Sequence, residues 1–126
     1  MKFVEISNAL ETHLIKLPDI PPVTFENVSP KTPPKGAFFM VKNLPKQSQI
    51  DTLGCTEVHS GIFSINIYTS AGSGRATAEK YADLLHEHFF NQRFGGLLTS
   101  TVSRSQGLVT DTHYVINVSV IYQTLE

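Results

Sequence analysis

Tyr114, Ile116, Val118, Val120 and Tyr122 recur at every second position, set against His113, Asn117, Ser119 and Gln123. A period of two puts all five on one side of an extended strand, whereas a helix would scatter them around its axis. The sequence therefore predicts a long strand from about Val109 to Tyr122 with one face turned to a core. Phe63, Ile65 and Ile67 repeat the pattern against Ser64 and Asn66 in the run from Val58 to Tyr68, a half-buried antiparallel strand. A sheet with a dry face needs a layer to cover it.

Two segments can supply that layer. Phe3, Ile6, Leu10, Leu14 and Leu17 fall three and four apart, with Glu5, Glu11 and Lys16 elsewhere on the wheel. This is an amphipathic helix, and Pro18, Pro21 and Pro22 should stop it near Leu17. Ala78, Tyr81, Ala82, Leu85 and Phe89 share the spacing in a second helix, expected to end before Gly95-Gly96, where a left-handed cap is sterically cheap.

Between the helices, Val23 to Val28 reads as a short strand with Val23 and Phe25 on one face. The proline-dense run from Ser29 to Gly36 reads as an extended connector of limited freedom. Ala37 to Leu44 is apolar on both faces, which suits a strand covered by a helix on one side and by another surface, such as a neighbouring subunit, on the other. Pro45 to Glu57 is a polar excursion anchored by Ile50 and Leu53 alone, a length that marks a functional or mobile segment. Thr69 to Gly74 reads as a flexible turn. Leu97 to Ser103 reads as a strand, with a turn at Ser105-Gln106-Gly107. The order predicts a single α+β domain over residues 1–126, a two-layer, mainly antiparallel sheet with two α-helices packed on one face. No internal repeat or change of composition divides it.

Charge and cysteine content narrow the functions. Ten Lys and Arg against eleven Asp and Glu give a net charge of −1, without the basic excess on which nucleic-acid affinity draws. Cys55 stands alone, so no intrachain disulfide forms and a reducing cytosol is compatible. Met1 to Asn8 carries a carboxylate and polar residues where an export signal needs an apolar core. The longest apolar run, Ala37 to Val41, is far below the roughly 20 residues of a membrane-spanning helix.

No chemical constellation is complete. Gly72-Ser73-Gly74 before a helix lacks both the dinucleotide fingerprint and the Gly-Lys-Ser/Thr ending of a phosphate loop, and reads as a strand-to-helix turn. His86 and His88, two apart on a helix, point away from one another and are read as surface or rim residues. Cys55 with His59 supplies only two donors, too few for a tetrahedral metal site. Ser60, His59, Asp111 and His113 lack a nucleophile elbow and are expected to be solvated strand ends. Glu79, Asp83 and Glu87 form an acidic stripe opposed only by Lys80 and distant Arg93, and Arg75 opposes the dipole of the helix it precedes.

The order of elements has a familiar form. Phe3-x-x-Ile6-x-x-Ala9-Leu10-Glu11, Pro21-Pro22-Val23-x-Phe25-Glu26-Asn27-Val28 and Pro33-Pro34-x-Gly36-Ala37-Phe38 resemble the tail-terminator-like proteins of long-tailed phages and prophages. So do Gly61-Ile62-Phe63-x-Ile65-x-Ile67, Ala71-Gly72-x-Gly74 with its helix, and Val118-x-Val120-Ile121-Tyr122. These are signatures of strands and turns without catalytic content.

The resemblance implies the lambda-type terminator fold and a homo-oligomeric ring, a hexamer, at the head-proximal end of the virion tail, assembled in the host cytoplasm. Such a ring stops polymerisation of the tail tube protein and offers its other face to a head-completion or connector protein. DNA passes through the lumen without specific binding. Another neck component, a head-closure or tail-completion protein, is the alternative. No catalytic, cofactor-binding or metal-binding residue is expected, and no membrane partner. Phe38, Met40, Arg75 and Arg104 are the expected subunit interface. Lys46, Gln47, Gln49, Ile50, Asp51 and Leu53 are the expected contacts to tube or connector, with the Pro30–Gly36 loop and an exposed sheet edge as further surfaces.

Overall fold

A computed structural model describes residues 2–25, 37–50, 57–72, 75–110 and 113–124. In chain order the elements are helix α1 (Phe3–Ile15) and strands β1 (Val23–Thr24), β2 (Phe38–Pro45), β3 (Gln49–Ile50), β4 (Glu57–Val58) and β5 (Ser60–Ser70). Helix α2 (Ala76–Phe89) follows, then β6 (Arg93–Phe94), β7 (Leu97–Arg104), β8 (Leu108–Val109) and β9 (His113–Thr124).

The two runs of strict alternation, β5 and β9, pair along the whole of β5, from Ser60↔Gln123 to Ser70↔His113. The main sheet has the order β1-β2-β5-β9-β7-β6, with β8 also on β9, while β3 and β4 form a separate pair. Among the described strands only β1 runs parallel to its neighbour. Register places Phe39 and Val41 beside Ile67 and Ile65, and Ile65 beside Val118, so the apolar sets of three strands share one face. Ile6, Leu10 and Leu14 of α1 and Ala78, Ala82, Leu85 and Phe89 of α2 close over that face in one core. Burying each such Leu, Ile or Phe contributes roughly 1.5–3 kcal/mol. The α+β architecture expected from the sequence is the one observed.

Several boundaries differ from expectation, each for a local reason. The long final strand is broken: Thr110 accepts the His113 amide on its hydroxyl at 3.1 Å, a side-chain turn that competes with extended backbone. Leu108 and Val109 consequently fold back onto Val115 and Tyr114. Gly95-Gly96 does not cap α2. With φ of 53° and 84° the pair forms the tight turn from β6 to β7, a two-residue hairpin that favours positive φ at both positions. The helix ends instead at Phe89, with Asn91 at φ 50°. Buried Thr99 donates its hydroxyl to the Phe89 carbonyl and accepts the Gln92 amide at 3.0 Å, satisfying groups the helix end leaves open.

The run from Val58 to Tyr68 is interrupted at His59, which separates β4 from β5. The ends of the polar excursion pair as strands, Gln49 with Val58 and Ile50 with Glu57. Its middle, 51–56, lies outside the described residues, as do 26–36 with the proline-rich connector. Phe3, placed on the apolar stripe by spacing, is exposed, its ring meeting His59 edge-on at 5.1 Å.

Candidate assembly surfaces

The helices cover one face of the sheet, and among the described residues no helix covers the other. Across its centre runs an uncharged polar ladder. The Asn117 amide donates to Ser64 Oγ at 2.7 Å and to Asn66 Oδ1 at 2.8 Å, while Ser119 Oγ donates to Asn117 Oδ1 at 2.8 Å. These side chains alternate with the core residues of β5 and β9, so the strands that build the core also build this face. Met40, Leu44 and Ile121 are exposed beside the ladder. Phe38 lies on the same face but is covered within the chain: its ring stacks on Tyr68 at 4.5 Å and meets His113 edge-on. Of the expected pair Phe38 and Met40, Met40 is the exposed member.

At one end of the sheet a cleft of about 660 Å³ opens between α1 and the end of β2, floored by Ile6, Val41 and Phe63 and rimmed by Phe3, Lys42 and Lys46. His59, expected at a solvated strand end, is buried here. Its Nδ1 lies 2.6 Å from Ser48 Oγ and its Nε2 3.1 Å from Glu57 Oε1, so a hydroxyl, an imidazole and a carboxylate form a row. Backbone bonds hold the same point: the Thr124 amide donates to the His59 carbonyl at 2.8 Å, and the His59 amide donates to Thr124 Oγ1 at 3.0 Å. The row pins both described flanks of the polar excursion to the sheet. Ser60, His59, Asp111 and His113, expected as solvated strand ends without a nucleophile elbow, are not brought together as a set: the register puts His113 at the opposite end of β5 from Ser60, and Asp111 and Cys55 lie outside the described residues.

Arg75 and Arg104 meet at the other end. Arg75 Nε and Arg104 Nη2 each lie 3.7 Å from Glu79 Oε1. The register carries Arg104 to this point, since it pairs with Val118 on the helix-covered face. The acidic stripe is thus opposed by two arginines at its first member, which the sequence did not reveal because Arg104 comes from a distant strand.

A family model described as phage tail terminator protein matches residues 5–122, nearly the whole chain. The chain belongs to the phage tail terminator family. It is therefore a structural component of a phage tail, in a family that is structural and not enzymatic, and its contacts are with other tail and head-junction components. No curated protein matches it. Among the solved structures that match, one shares the fold at a TM-score of 0.76 and 23% sequence identity, covering 100% of this chain and 97% of that one.

For a tail terminator the informative side chains are those left for partners. Lys46, Gln47 and Gln49 are exposed, and Ile50 is 68% exposed, an apolar side chain held outward on β3; Asp51 and Leu53 lie outside the described residues. Among the described residues no group of three His, Cys, Asp or Glu side chains is placed to hold a metal ion, and no helix is long and apolar enough to cross a membrane.

Proposed function

We propose that this terminator closes as a homo-oligomeric ring, a hexamer, on the head-proximal end of the tail tube, stops its polymerisation and presents its other face to the head-completion or connector protein. The observation that carries the reading is the one-sided architecture, in which a helix layer seals one face and the other keeps Met40, Leu44 and Ile121 in solvent. A tube grows by heterologous contacts that do not close on themselves. A subunit that matches the last ring on one side and lacks the matching surface on the other ends growth by mismatch. In this reading the open face and the Arg75–Arg104 end serve lateral contacts. The β3–β4 region, with Lys46, Gln47, Gln49 and Ile50 and the neighbouring Asp51 and Leu53, faces tube or connector.

DNA passing through such a ring should not be gripped. A net charge of −1 and an uncharged Ser/Asn ladder are compatible with passage, since clustered cations would bind phosphate and release counterions. Assembly would take place in the host cytoplasm, where the lone Cys55 needs no oxidising environment. Electron microscopy of the purified protein, alone and with tail-tube protein, tests the reading. Annular particles, and extra density at one end of each tube, are expected. Particles without a central opening that leave tube ends unchanged would contradict it.

A further inference from the structure

The charges of α2 follow its dipole only in part, with Glu79 in the first turn and His86 and His88 in the last. Helices favour carboxylates in the first turn and cations in the last, yet Arg75 stands at the N-cap without a side-chain cap bond, and Glu87 lies in the last turn before Phe89. Glu79 offsets the first placement only in part, because one carboxylate shared by Arg75 and Arg104 leaves a net positive charge. Exposed Leu108 and Val109 lie at the same end of the sheet. About 12 and 18 Å along the helix from Arg75, Asp83 and Glu87 are exposed one turn apart, followed by Phe90, which is also exposed. Among the described residues neither carboxylate has an ion-pair partner within 4.0 Å.

The subunit thus carries two distinct patches of opposite charge, each beside exposed apolar side chains. Two copies can satisfy both patches in a two-fold pair or head to tail; a ring requires the second, a heterologous contact that closes when the rotation permits. Resting on the ring reading above, we propose that Arg75 and Arg104 of one copy dock against Asp83 and Glu87 of the next, setting the direction and register of the ring. Exposed ion pairs add little affinity singly. Charge complementarity instead selects the orientation and speeds encounter, while the apolar neighbours supply buried area.

A charge swap is the test. Variant one carries Arg75→Glu and Arg104→Glu; variant two carries Asp83→Lys and Glu87→Lys. All four positions are exposed, so circular dichroism should show both folded. Each variant alone has like charges on both patches and should form no rings under conditions where wild-type rings are seen by electron microscopy and sedimentation, alone or on tail tubes. Mixed in equal amounts, the two should recover rings by alternating around the annulus. Rings in either variant alone, or no recovery on mixing folded variants, would overturn this pairing while leaving the ring itself standing. Absence of rings from the wild-type protein, free and on tubes, would remove the ring reading and the pairing with it.

Discussion

His13 and His88 each point a ring nitrogen at the other's backbone carbonyl: His13 Nε2 donates to the His88 carbonyl at 2.9 Å, and His88 Nε2 donates to the His13 carbonyl. The rings stack at 4.0 Å, and the His13 ring is sandwiched on its far side by Phe94 at 3.9 Å. Both carbonyls belong to the last turns of their helices, so one reciprocal contact satisfies groups at both ends and ties α1 to α2.

This contact makes stability depend on pH. Burial holds the His13 pKa below its usual 6.5, the charges of His88 and Lys16 push it the same way, and the backbone bond to His88 works in the opposite direction. The folded chain therefore binds this proton less readily than the unfolded chain. The stabilisation is complete above pH 6.5 and is lost as pH falls below it toward the depressed folded value. Thermal melts should be flat from about pH 8 to 7 and decline as pH falls below 6.5. His13→Phe, which stacks without titrating, should decline less over that interval; an equal decline would contradict the assignment.

Gly61 holds open a crossing point. Tyr122 reaches over it from β9 to donate its hydroxyl to Asn43 Oδ1 on β2 at 2.6 Å. A Cβ on residue 61 would stand 2.7 Å from both the Leu44 carbonyl and the Tyr122 hydroxyl. Gly61→Ala should destabilise by about 1–3 kcal/mol, and Tyr122→Phe by about 1 kcal/mol, read from the midpoint of urea unfolding. A neutral Gly61→Ala would show that the strands part easily here.

Thr99 closes the end of α2 from inside the protein. Thr99→Val keeps the volume and removes the hydroxyl that serves the Phe89 carbonyl and the Gln92 amide. The expected loss is about 1–3 kcal/mol, because buried groups lose their partner, with faster hydrogen exchange in the last turn of the helix. Unchanged protection there would contradict the capping role.

The open sheet face separates assembly from folding. Met40→Glu and Leu44→Glu alter exposed side chains and should change monomer stability by less than about 0.5 kcal/mol while reducing ring formation seen by light scattering. Phe38→Glu breaks the stack on Tyr68 and should destabilise the monomer itself. Equal stability of all three variants would show that the Phe38 stack contributes nothing to folding.

What the sequence disclosed follows from how far each signal reaches. Alternation in Phe63–Ile67 and Tyr114–Tyr122 reports a face, and the core was legible from it because Phe63, Ile65 and Ile67 each have an apolar neighbour on the next strand, Val120, Val118 and Ile116. Helix spacing located α1 and α2 for the same reason. Contacts between elements distant in sequence were not legible: Tyr122 with Asn43, Arg104 with Glu79, and His13 with His88 depend on register and on the crossing of helices. The expected solvation of His59 failed because nothing in its neighbourhood marks Ser48 and Glu57 as partners for both ring nitrogens. Gly95-Gly96 was misassigned because positive φ suits a hairpin turn as well as a helix cap.

Phage particles carrying a deletion of this gene test the proposed role most directly, by the length distribution of their tails and their attachment to heads. Overlong tails of scattered length, unjoined to filled capsids, are expected. Tails of normal, uniform length joined to full heads would contradict a terminating ring.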